Sequence, residues 1–112
     1  MKSYTDLEQS KTLAKVLPPE SADMYWDYDV QKHEYYPMVM DDQFDDFCIR
    51  AWSLAALLNA LPPIEGFRPI IDLDINLIRY EGNYRDKLCF SGNNIVDACY
   101  EMILKLKEQN LL

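Results

Sequence analysis

Nucleophiles, bases, carboxylate pairs and metal ligands are where chemistry would start, and this chain has few of them in useful arrangements. Its three cysteines, Cys48, Cys89 and Cys99, are widely spaced and form no C-x-x-C pair, and His33 is its single histidine. That pattern argues against a zinc site and excludes any metal site built on a pair of histidines. Cys48 and His33 could act as nucleophile and base only if the fold joined them, and 15 residues through a hairpin give no sign of it. The thiols read instead as small core residues of a protein in a reducing compartment.

Carboxylates are plentiful. Asp72 and Asp74 would share one face of a strand, as paired catalytic acids or a metal site require. Alternating polar residues on a solvent-facing strand give the same pattern far more often. Asp41, Asp42, Asp45 and Asp46 lack the alternating oxygen donors, the glycine and the closing glutamate of a calcium loop, so they read as solvated loop acids. No phosphate-cradling, dinucleotide-binding, nucleophile-elbow or zinc-protease motif occurs, and three glycines leave little material for a phosphate loop. The residues therefore point to no cofactor and no resident metal, and a small enzyme is the weakest functional reading.

The elements that would position these residues belong to one globular domain spanning 1–112, with 49% apolar and 27% charged residues. The first fifteen residues lack the apolar run of a secretion signal and no stretch is long enough to span a bilayer, which reads as a cytoplasmic protein. Its net charge of −8 is local. Residues 20–46 hold nine acids (Glu20, Asp23, Asp27, Asp29, Glu34, Asp41, Asp42, Asp45, Asp46) and one base, Lys32, which accounts for the whole charge. An acidic surface of this kind makes nucleic acid and anionic membrane poor direct partners.

Along the chain, Thr5 and Glu8 have the spacing of a capping box, followed by a stripe of Leu7, Leu13, Ala14 and Leu17 that Pro18-Pro19 ends. Met24–Tyr28 and Glu34–Met40 read as a hairpin, with Pro37 marking an edge strand or a bulge. The run Asp41–Asp46 is a loop into a central helix over Ala51–Pro63, apolar on nearly every face and therefore surrounded by the rest of the domain. Trp52 anchors the core at its start. Ile71, Leu73, Ile75 and Leu77 alternate with Asp72, Asp74 and Asn76 as a half-buried strand. A loop at Glu81-Gly82-Asn83 and a return strand over Arg85–Ser91 complete a second hairpin. Asn94 caps a last helix whose Ile95, Ala98, Cys99, Met102, Ile103 and Leu106 keep a helical rhythm. Leu-x-x-x-Leu-Pro-Pro occurs at Leu13–Pro19 and again at Leu57–Pro63, a weak hint of duplication that proline's role as a helix stop explains equally well. The fold class is α+β: three helices and two hairpins in the order helix, hairpin, helix, hairpin, helix, with antiparallel sheet packed on the helices.

One segment is unusual. Tyr25, Trp26, Tyr28, Tyr35 and Tyr36 are interleaved with acids and followed by Asp41, Asp42, Asp45 and Asp46. Large rigid aromatics are favoured in binding hot spots, so the leading functional reading is a non-enzymatic module that binds a protein partner through these residues. The plainer account is that the aromatics pack on the domain's own helices. A further alternative is an acidic decoy whose carboxylates stand in for phosphates and occupy a nucleic-acid-binding protein.

The phrases LPPESADMYW, AWSLAALLNALP and NNIVDACYEMILKLKEQNLL resemble a family of short proteins common in gut anaerobic bacteria and often carried by their phages and integrated elements. No activity or site residue is attached to that family, so the resemblance transfers no role. What it implies is context: a small cytosolic accessory protein of mobile-element origin.

Overall fold

The N-terminal helix shows how local capping and tertiary contact divide the same few residues. In the computed structural model, which describes residues 2–82 and 88–112, α1 runs over Leu7–Leu13. Its N-cap is Asp6, with Gln9 closing a reciprocal capping box. The box expected at Thr5 and Glu8 is thus one residue out of place. Thr5 is buried instead, paired with the Ser10 hydroxyl at 2.8 Å and accepting the Trp52 N–H at 3.1 Å. α1 stops well before Pro18; Leu13 and Leu17 are buried while Ala14 is exposed.

After a 3-10 turn at Pro19–Ser21, β1 (Met24–Asp29) and β2 (Glu34–Val39) form the first hairpin. A third strand, β3 (Ile49–Ala51), pairs on the other side of β1 and gives the order β2-β1-β3. Pro37 therefore lies on an edge strand, where its missing donor costs no ladder bond. The acidic loop leads into β3, not directly into a helix. The central helix is correspondingly shorter than its apolar letters predict: α2 spans Leu54–Ala60, with Ser53 as N-cap. Ala51 pairs with Met24, and the Trp52 carbonyl accepts the Thr5 N–H while the Trp52 N–H donates to the Thr5 hydroxyl, so the chain stays extended up to the cap. Nor is α2 enclosed on every side, since Ala56 and Leu57 are buried while Ala55 and Asn59 face water.

The second sheet is a meander of β4 (Phe67–Asp72), β5 (Leu77–Gly82) and β6 (Cys89–Ser91). The alternation from Ile71 to Leu77 is not a strand. It contains the turn between β4 and β5, and Leu73 and Ile75 are 61% and 57% exposed. Asp72 accepts the Asp74 N–H at 3.0 Å and Asn76 sits at φ 51°, so turn chemistry outweighs the period-2 pattern here. Asp72 and Asp74 consequently do not share a strand face. Glu81 and Gly82 lie within β5 rather than in a loop. A Cβ on Gly82 would collide with the Gly66 carbonyl and the Phe67 ring, so the close strand approach requires glycine. Asn83 of the expected loop and residues 85–87 of the expected return strand lie outside the described residues.

α3 (Ile95–Glu108) matches its sequence pattern: Asn94 accepts the Asp97 N–H, and all six expected core positions plus Val96 are buried. The core joins Leu13 and Leu17, Trp52, Leu57, Ile78 and Tyr80, Leu88, and the inner face of α3. Trp52 is wholly buried, with its indole N–H donating to the Ser21 hydroxyl at 2.9 Å. Among the thiols only Cys99 is a core residue; Cys48 is half-buried and Cys89 exposed. The two hairpins build two separate sheets. Their central strands, β1 and β5, are the first strand of one hairpin and the second of the other, so the repeated proline punctuation carries no repeated topology.

Candidate functional site

Strand alternation divides the first hairpin into two faces. Met24, Trp26 and Tyr28 lie opposite Val39, Pro37 and Tyr35 on one; Tyr25, Asp27 and Asp29 lie opposite Met38, Tyr36 and Glu34 on the other. α1 covers the near part of the first face. Trp26 donates its indole N–H to the Thr5 carbonyl (3.3 Å) and the Ser10 hydroxyl (3.2 Å), and its ring meets Tyr4 edge-on at 5.8 Å. The loop over residues 41–48 covers the near part of the second face. There Phe44 packs edge-on against Tyr25 at 5.5 Å, and the Arg50 guanidinium lies 4.6 Å over the Phe44 ring.

Coverage stops halfway along the hairpin. Tyr25 is fully buried, with its hydroxyl donating to Asp41 at 2.6 Å, and Trp26 is half-buried. Beyond them Tyr28, Tyr35 and Tyr36 are 41%, 37% and 38% exposed. Tyr28 and Tyr35 face each other across the strands with ring centroids 4.9 Å apart, and Tyr36 donates to Asp27 at 3.1 Å. The surface expected from sequence thus loses Tyr25 and most of Trp26 and keeps the three distal tyrosines. Val30, Val39 and Phe47 are also exposed and were not singled out; the polar turn around Val30 and the aspartates preceding Phe47 were the signals available. Asp42 and Asp46 are exposed in the covering loop, alongside Asp41 and Asp45.

Many of the acids have internal work. Asp23 accepts both the N–H (2.9 Å) and the hydroxyl of Ser53. Asp29 caps the β1–β2 turn through the Gln31 and Lys32 N–H groups, next to His33 at φ 54°. Asp41 and Asp45 accept the Gln43 and Phe47 N–H groups. None of the segment's acids is ion-paired among the described residues, where the pairs engage Asp6, Glu8, Glu81, Asp97 and Glu108.

The Cys48 thiol bonds to Asp45 (3.5 Å) and Asp27 (3.7 Å), not to His33, which is exposed in the turn. Burial, together with these carboxylates, holds its pKa above the ordinary thiol value, the reverse of an activated nucleophile. The bond to Asp41, aided by burial, likewise holds the Tyr25 phenol well above its usual range. Among the described residues no group of three or more His, Cys, Asp or Glu side chains is placed to hold a metal ion, and no helix is long and apolar enough to cross a membrane. A cavity of about 510 Å³ lies between the β4 and β5 ends, lined by Gly66, Phe67, Arg68, Glu81 and Gly82; Arg68 and Glu81 pair with each other at 3.6 Å.

Comparison with protein-family models, with characterised proteins and with solved structures finds no match for this chain.

Proposed function

We propose that this protein is a non-enzymatic interaction module that docks on a protein partner through the distal half of the β1–β2 hairpin. The observation that carries this reading is the abrupt end of coverage along the hairpin, which leaves Tyr28 and Tyr35 exposed on one face and Tyr36 on the other. Tyrosines of this kind offer large contact area at small cost in side-chain entropy. The radius of gyration, 15.0 Å, exceeds the roughly 13 Å of a compact chain of this length, in keeping with an arm that stands off the core. The commitment of Asp23, Asp27, Asp29, Asp41 and Asp45 to internal hydrogen bonds favours docking over a decoy whose carboxylates must all be free to stand in for phosphates.

Affinity capture from lysate tests the reading, comparing wild type with a Tyr28→Ala/Tyr35→Ala/Tyr36→Ala variant. Loss of specific partners from the variant is expected. Identical partner lists from both proteins would count decisively against the hairpin as the docking surface.

A further inference from the structure

The open edges of both sheets are short of backbone donors. In an antiparallel pair, successive residues turn their N–H and C=O groups alternately towards the neighbouring strand and away from it. The Met40 N–H donates to the Asp23 carbonyl at 3.0 Å, one step beyond the β1–β2 register, so Glu34, Tyr36 and Met38 turn theirs inward. Tyr35, Pro37 and Val39 therefore face the open edge of β2, and the middle one has no donor to offer. In the second sheet the Tyr80 N–H donates to the Leu88 carbonyl on the β6 side at 3.0 Å, which leaves Phe67, Pro69 and Ile71 facing the open edge of β4. There the Phe67 N–H is taken by the Ile64 carbonyl at 2.9 Å, and Pro69 again has none. Where β3 stops at Ile49, opposite Trp26, the edge of β1 continues to Tyr28, whose N–H is taken by the Asp27 carboxylate at 2.8 Å.

We infer that Pro37 is the residue that keeps this protein from pairing, β2 to β2, with a second copy of itself. The inference stands apart from the docking reading above, since it concerns the backbone edge and not the tyrosine rings. β2 is otherwise a ready template: six residues in unbroken register with β1, exposed at Tyr35, Tyr36 and Val39, and without a lysine. A two-fold pairing centred on residue 37 would set Tyr35 of one copy against Val39 of the other, outward groups facing outward groups. Glu34 would fall opposite Met40, so no like charges would meet in the ladder. The net charge of −8 then opposes association only at longer range, where salt screens it. Both bonds of the central pair would have to come from the N–H of residue 37, and proline supplies neither.

Sedimentation velocity of the full chain at moderate salt tests this. Wild type is expected to run as a 13.2 kDa monomer. Pro37→Thr supplies the donor and a β-preferring side chain; it should shift towards a dimer as concentration rises, with slower amide exchange at Tyr35 and Val39. Adding Val39→Pro, which removes the next outward donor and leaves the ladder to β1 intact, should restore the monomer. A Pro37→Thr protein that keeps its circular dichroism and stays monomeric overturns the inference. So does a dimer that survives Val39→Pro, or a wild type already dimeric with those two amides protected. Should Pro37→Thr fail to fold, Pro37→Ala supplies the same donor with a smaller change, and the same outcomes decide.

Discussion

The two three-stranded sheets of this protein are held by different forces. The second sheet is built into the core: Ile78 and Tyr80 of β5 and Leu88 before β6 are buried in the main cluster, with Phe67, Ile71 and Phe90 packed against it. The first sheet buries only Tyr25 and Ala51, and neither belongs to that cluster. Its attachments are directional: the Trp26 indole to α1, the Tyr25 phenol to Asp41, and the Asp23 carboxylate to Ser53. Apolar burial rewards any close-packed arrangement, whereas hydrogen bonds specify orientation at small net gain. A sheet held in the second way can keep one half uncovered without losing its place. That is what a docking arm requires and what a core sheet cannot offer.

The contrast can be broken most sharply by truncation. Ile78→Ala in β5 should cost about 2–5 kcal/mol through lost burial and a residual cavity. Tyr35→Ala in β2 should cost about 0.2–1 kcal/mol, the worth of a cross-strand pair. Chemical denaturation of both variants checks this, and equal losses would mean that the first sheet is as much a part of the core as the second. An effect smaller than that of Ile78→Ala should come from Trp26→Phe, which keeps an aromatic side chain, though a smaller one, and removes the indole donor. It should cost about 0.5–1.5 kcal/mol and raise amide exchange in β1 and β2 while leaving β5 protected.

The smallest effect concerns the joint between α1 and α3. Asp97 accepts from Lys2 at 2.7 Å and from Gln9 at 2.8 Å, and so ties the helix that carries the first sheet to the core helix. Burial alone would raise its pKa, but the bonds from Lys2, Gln9 and Asn94 and the charge of Lys2 outweigh it and hold the carboxyl below its ordinary 3.8. A depressed carboxyl stabilises the fold above its unfolded value, and that contribution is lost as pH falls through the folded one. Lys2 is the mirror case: burial would lower its pKa, but the bonds to Asp97 and Asp6 raise it above 10.5, so its contribution fades only at high pH. Asp97→Asn should therefore flatten the acid limb of thermal stability below about pH 4. It should leave capture through the exposed hairpin tyrosines unchanged if they are the docking surface, as melts across the acid range and capture at neutral pH would check.

Where local chemistry and pattern agree, the sequence sufficed. Asn94, Asp97 and the apolar rhythm to Leu106 define α3 without tertiary help, because cap, dipole and periodicity all point one way. The first hairpin was legible for the same reason, with its polar turn between two aromatic runs and Pro37 on the edge. Alternation from Ile71 to Leu77 misled because Asp72 and Asn76 supply turn geometry that outweighs the burial of Leu73 and Ile75. The central run misled because Ala51 and Trp52 found strand and backbone partners in β1 and Thr5, which no local signal announces.

The candidate site divides along the same line. That residues 20–46 carry the charge and the aromatics together is a property of the sequence. Which tyrosines face water is not, because alternation assigns a residue to a face and only tertiary packing decides which part of that face is covered. Tyr25 and Tyr36 share a face of the hairpin, yet the first is sealed under Phe44 and the second lies beyond the loop's reach. The composition of the surface was written in the chain. Its position was decided by where α1 and the acidic loop stop.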